Sequence, residues 1–179
     1  YYGIILSTGY VLAMMLFFIL ASAAGESWIT IGGITIGIMA LFVPAAKLMA
    51  YIVERKKNTI TVGGASFVMF IAAPWIIKLY NLILAGNGYT EVKEIVIIAS
   101  LTTAYALGEG IGRLACISFG CCYGKPVAEL PLFFREIFLK WNFVFSGDTK
   151  KISYHDHLDG QPVVPVQGIT AVLYTVTAC

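Results

Sequence analysis

Four long apolar runs constrain this chain more than any other feature. They cover Tyr2–Ala24, Ile29–Val53, Thr59–Ala85 and Glu94–Phe119. A bilayer's hydrocarbon core takes roughly 20 apolar residues per helical crossing, and each run is long enough. Inside lipid the backbone must satisfy its own polar groups, which only helices and closed barrels do. Barrel strands alternate apolar and polar residues over short segments, whereas these runs are continuous, so helices are expected. A fifth run starts near Pro165. Hydrophobic residues make up 59% of the chain and charged residues 12%, against roughly 25% charged in soluble domains. The expected fold class is therefore an all-α, polytopic membrane protein, with at least four complete transmembrane helices and a small extramembrane head.

Polarity divides the chain into a helical bundle over 1–124, a head or loop over 125–161 and the start of a further transmembrane helix over 162–179. The chain opens and closes inside apolar runs, as a piece of a longer protein does. Ala21-Ser22-Ala23 imitates a signal-peptide cleavage site. No basic segment precedes it, however, and the run exceeds the usual apolar length of a signal peptide. The net charge of +2 is small and the basic residues are dispersed, which argues against a nucleic-acid partner.

The head is the one sizeable polar segment. Its first half, "ELPLFFREIFLKWNFVF", is amphipathic and aromatic, as in a helix lying on the membrane interface. The alternative is an ordered connecting loop. Its second half, "SGDTKKISYHDHLDGQP", is polar.

Charges inside apolar runs are functional candidates, because an Arg at a helix centre costs about 2.5–3.5 kcal/mol on insertion scales. Glu109 and Arg113 are four residues apart and share a helix face, with Glu in the favoured N-terminal place. They form either a self-neutralised pair at the interface or an Arg aimed at an anionic lipid group. Arg suits phosphate because its planar fork donates paired hydrogen bonds. Gly108, Gly110 and Gly112 beside it allow a helix or a headgroup to come close. Lys47, another cation in an apolar run, either snorkels to the interface or joins the same phosphate.

Cys116, Cys121 and Cys122 follow as C-x4-C-C. No further ligand pair lies nearby, and His155 and His157 sit in the polar loop. The cysteines are expected to be small packing residues rather than zinc ligands, with a disulfide open if this end faces an oxidising compartment. No metal site and no cofactor are expected.

Gly112-Arg113-Leu114 followed by Phe119-Gly120-Cys121-Cys122-Tyr123-Gly124-Lys125 resembles the signature of bacterial prolipoprotein diacylglyceryl transferases. That signature reads Gly-Arg-Leu/Ile-Gly-Asn-Phe-x-Asn-Gly-Glu-x-Trp-Gly-Arg. Further likenesses fall in the same order. Tyr1-Tyr2-Gly3-Ile4 is similar to the family's Trp-Tyr-Gly-Leu. Pro44-Ala45-Ala46-Lys47-Leu48 stands for its Gly-Gly-Arg-Ile, and Gly63-Gly64 for its His-Gly-Gly. Pro165-Val166-Gln167 stands for its His-Pro-Ser-Gln-Leu-Tyr-Glu.

The resemblance implies transfer of a diacylglyceryl group from phosphatidylglycerol to a prolipoprotein cysteine thiol, in the bacterial cytoplasmic (inner) membrane. Arg113 and Glu109 would then be catalytic, and Tyr2, Lys47, Gly63, Gly64 and Gln167 would bind substrate. The implied partners are phosphatidylglycerol and the prolipoprotein signal peptide. The chain departs from the family where Val62 replaces its His, Cys116 its Asn, Cys121 its Glu, and Ile169-Thr170 its final Tyr-Glu. These departures keep a second expectation open: a non-catalytic relative serving as a membrane subunit or lipid-binding scaffold of a larger complex. Orientation divides in the same way. Basic residues cluster in 54–58 and in the head, which the positive-inside rule places in the cytoplasm. The resemblance implies a periplasmic head, and it is the resemblance that extends over four helices.

Overall fold

The computed structural model describes residues 1–53, 55, 62–86 and 91–178. The chain is all-α, and among the described residues four helices are long and apolar enough to cross a membrane, so it is a multi-pass membrane protein. These are α1 (Tyr2–Ala23), α2 (Trp28–Val53), α3 (Val62–Gly86) and α4 (Glu94–Phe119). A 3-10 turn (Val127–Glu129), α5 (Leu132–Lys140), β1 (Phe143–Val144), α6 (Lys151–Asp156), β2 (Pro162–Val163) and α7 (Val166–Ala178) follow. The apolar runs thus predict the helices closely, and α4 has the expected bounds. Thr59–Thr61 and most of the basic cluster at 54–58 lie outside the described residues.

Contacts draw a different boundary from polarity. One compact unit is Leu16–Thr102, and the other is Tyr1–Met15 together with Thr103–Cys179. In the first, α2 and α3 pack on one another. Helical spacing places Ile31, Ile34 and Ile38 of α2 in the core, and Met69, Ala73 and Ile77 of α3 likewise. Large apolar residues such as Ile36, Leu48, Phe67, Trp75 and Leu82 face outward, as lipid-facing side chains do. Ala45, Ala46 and Ala50 supply the small buried residues by which membrane helices come close.

Several polar groups in this unit are matched. Asn81 is buried, donates to the Val92 carbonyl at 3.0 Å and accepts from the Val92 N–H at 2.9 Å. It therefore ties α3 to the stretch leading into α4. Between α1 and α2, Gly25 at φ +94° ends α1. Its N–H bonds Ser22 O at 3.0 Å, and the Glu26 N–H bonds Ala21 O at 3.1 Å. This is a Schellman cap, which satisfies carbonyls that a helix end leaves free. The Ser27 hydroxyl then caps α2 by accepting the Thr30 N–H at 3.2 Å.

In the second unit the expected polar head is a small folded module. β1 and β2 pair antiparallel, with Phe143 opposite Val163. On the other side of β2, Gly124 N–H donates to Val164 O and Val164 N–H to Lys125 O, both at 3.1 Å. Phe145, Ile152 and Val163 form its core, with Ile117, Tyr123, Phe143 and Leu158 packed around them. Helix α5 buries no residue. It leaves Leu132, Phe133, Phe134, Ile137 and Leu139 exposed.

Candidate functional site at the end of α4

Glu109 and Arg113 occupy adjacent turns of α4. Arg113 Nη2 donates to Glu109 Oε1 at 2.6 Å, and both side chains are about three-quarters buried (26% and 21% exposed). The pairing expected from the spacing is therefore made. Arg113 Nε is buried and has no hydrogen-bond partner among the described residues. An unmet buried N–H costs about 1–3 kcal/mol, more on a charged group.

The glycines around the pair admit neighbouring helices. A Cβ on Gly108 would stand 3.0 Å from Ala13 Cβ of α1, and one on Gly110 would stand 2.6 Å from Thr175 Oγ1 of α7. A Cβ on Gly112 would meet only Leu6, at 3.9 Å. Of the two uses expected for this glycine stripe, Gly108 and Gly110 thus serve helix packing. An open apolar groove of about 290 Å³ runs along Gly110, Leu114, Ala171, Val172, Thr175 and Val176.

Past Arg113, α4 ends in a second Schellman cap. Gly120, at φ +68°, donates to Ile117 O at 3.2 Å, and the Cys121 N–H donates to Cys116 O at 3.1 Å. Such a cap sets the residue after the glycine against the residue five before it. Cys121 therefore lies beside Cys116. Cys122 also takes a left-handed conformation, φ +56°, and its sulfur joins the other two. The three Sγ atoms lie within 4.8 Å of one another, and none is in a disulfide. The spacing C-x4-C-C did not disclose this cluster; Gly120 at the helix end was the signal that could have. The Cys122 thiol is held below its ordinary range, chiefly by the neighbouring Cys116 and Cys121 thiols and then by the positive charge of Arg113 and Lys151.

The head locks this helix end. The Ile152 N–H donates to Gly120 O at 3.1 Å, and Lys150 Nζ donates to Ser118 O. Gln167, fully buried at the start of α7, donates from Nε2 to Cys121 O at 2.7 Å, while its Oε1 has no partner among the described residues. Tyr2 stacks obliquely on Phe119, with ring centroids 5.4 Å apart.

Of the residues singled out in the sequence, Arg113, Glu109, Tyr2 and Gln167 belong to this unit. Lys47 is exposed on α2, and Gly63 and Gly64 are in the first turn of α3, all in the other unit. The surroundings of residues 62–65 lie outside what is described. His155 bonds Asp156 at 2.9 Å and is exposed, in the head.

Fold and site together define a multi-pass helical membrane protein whose fourth span ends in a partly buried ion pair and a three-cysteine cap. Compared with protein-family models, with curated proteins and with solved structures, the chain matches none.

Proposed function

We propose that this protein transfers a diacylglyceryl group from phosphatidylglycerol to the cysteine thiol of a prolipoprotein, in the bacterial cytoplasmic membrane. The observation that carries this is the buried, unmet Nε–H of Arg113, on a guanidinium already oriented by Glu109. A phosphate oxygen satisfies such a donor. In the transfer, the thiol sulfur attacks the glyceryl carbon bearing the phosphate ester. The carbon–sulfur bond forms, the carbon–oxygen bond breaks, and glycerol phosphate leaves with the electron pair. The thiol proton passes to solvent or to the departing phosphate. Arg113 stabilises the charge that gathers on the leaving group, which is the kind of electrostatic help that counts most in a dry site. The apolar groove beside Leu114 and Val172 suits an acyl chain.

A second reading has its own support. Glu109 is engaged by Arg113, and Val62 stands where a base would be expected from the resemblance. A lipid-binding subunit of a larger membrane complex needs the anion site and no base. One assay separates the two: transfer from phosphatidylglycerol to a lipobox peptide by the detergent-purified protein, with Arg113→Ala alongside. Transfer that falls at least about a hundredfold in the variant, the usual cost of losing an oxyanion donor, supports the enzyme. Lipid retained by the wild type without any transfer supports the scaffold. Retention and activity both unchanged in Arg113→Ala would remove the site altogether.

A further inference from the structure

We infer that Cys116, Cys121 and Cys122 form a binding site for a thiophilic d10 cation, Zn²⁺ or Cu⁺, at the end of α4. Their sulfurs already lie within 4.8 Å of one another. Zinc holds thiolate sulfur at about 2.3 Å, which sets neighbouring sulfurs about 3.8 Å apart, so closing on an ion takes shifts of about 1 Å or less. Thiolate sets select such cations over magnesium or calcium, which take oxygen.

The arrangement is built rather than incidental. Neighbouring side chains of an extended chain point to opposite faces. Here the left-handed φ of Cys122 brings two consecutive sulfurs to one place, at a cost of about 1–2 kcal/mol for a non-glycine residue. The Schellman cap fixes Cys121 against Cys116. Gln167 fastens the Cys121 carbonyl from α7, the kind of outer support that orients metal ligands. The same side chain keeps a buried acceptor unmet among the described residues, so it has capacity for one more bond than they supply. Three sulfurs mutually in reach suit a trigonal ligand set, whereas a disulfide would use two and leave one over. Charge also fits. Three thiolates around a divalent ion carry one net negative charge, and the positive charge of Arg113 and of Lys151 acts on this cluster. Cys122 is exposed, which gives an ion a way in from water.

This site does not depend on lipid transfer, and its test reads metal rather than activity. The full chain, purified in detergent under reducing conditions, is titrated with Zn²⁺, with Cu⁺ and with Co²⁺ as a spectroscopic stand-in. The expected result is one ion bound per chain, with thiolate-to-cobalt charge-transfer absorption for Co²⁺. Cys179→Ser, which changes the fourth cysteine of the sequence, should bind as the wild type does. Cys121→Ser should weaken binding by more than the roughly 10–100-fold typical of losing an outer-shell partner, and the triple serine variant should not bind. Should the variants fail to fold, the wild type alone still decides. Bound metal should protect Cys116, Cys121 and Cys122 from alkylation, and a chelator should expose them. No stoichiometric ion on the wild type, undiminished binding in the folded triple variant, or a native disulfide within the cluster would each overturn the proposal.

Discussion

Glu109 lies one helical turn before Arg113 and holds its guanidinium at 2.6 Å. Under the proposed function, two roles for that carboxylate separate kinetically. A positioning partner lost in Glu109→Gln raises KM for phosphatidylglycerol, with kcat falling less than tenfold. Loss of a general base lowers kcat by about 10²–10⁴. The geometry favours the first outcome, and a collapse of kcat with KM unchanged would assign Glu109 as base. In the head, Tyr123 donates to Asp156, and this bond, then that to His155, holds the Asp156 carboxyl below its ordinary value near 3.8. A carboxyl lowered by folding adds stability above its unfolded value and loses it as the pH falls through the lowered one. The difference in unfolding temperature between wild type and Tyr123→Phe should therefore stay constant from about pH 5 to pH 9 and fade toward pH 3. A difference that ignores pH would show that Tyr123 acts by packing alone. At this scale the ion pair was legible from its i, i+4 spacing, because helical geometry fixes what two such residues do. The cysteine cluster was not, because it depends on the φ angles of Gly120 and Cys122, which no residue count reports.

The long helices were the most legible elements, since lipid imposes both their length and their apolarity. The head was less so. Its core of Phe145, Ile152 and Val163 assembles from short pieces with no periodicity to read, around a two-residue strand pair. One polar residue inside a span, Asn81, also escaped notice. It occupies a buried place in α3 and answers both backbone groups of Val92. Asn81→Leu keeps the apolar character of the run and leaves those two groups unmet, each worth about 1–3 kcal/mol when buried. The variant should unfold at clearly lower temperature in mild detergent, and an unchanged midpoint would mean that water replaces the amide. Helix α5 presents Leu132, Phe133, Phe134 and Ile137 to the surroundings and buries nothing, so the amphipathic half of the head holds a helix.

For the whole molecule, class followed from composition, while the arrangement of the chain into two contact units did not. The boundary falls within α1 and within α4, inside continuous helices. Orientation is the remaining large-scale question with a direct answer. The proposed function puts the head in the periplasm, and the basic residues of the loops put it in the cytoplasm. A cysteine placed at the exposed Ser146 should add labelling by an impermeant thiol reagent in intact cells, over the unsubstituted protein. No added labelling until the cells are opened would reverse the topology.

The two glycines that bracket Cys121-Cys122-Tyr123 bear on how this sequence can drift. Gly120 combines a left-handed φ with a Cβ position 3.1 Å from Lys150 Cβ, and a Cβ on Gly124 would lie 2.7 Å from Val164 Cβ. Every missense change open to a glycine codon adds a Cβ. Neither position therefore has a neutral neighbour one nucleotide away. In a library of random single-base substitutions selected for folded protein, both codons should vary only silently, while the cysteines between them change as far as their chemistry is dispensable.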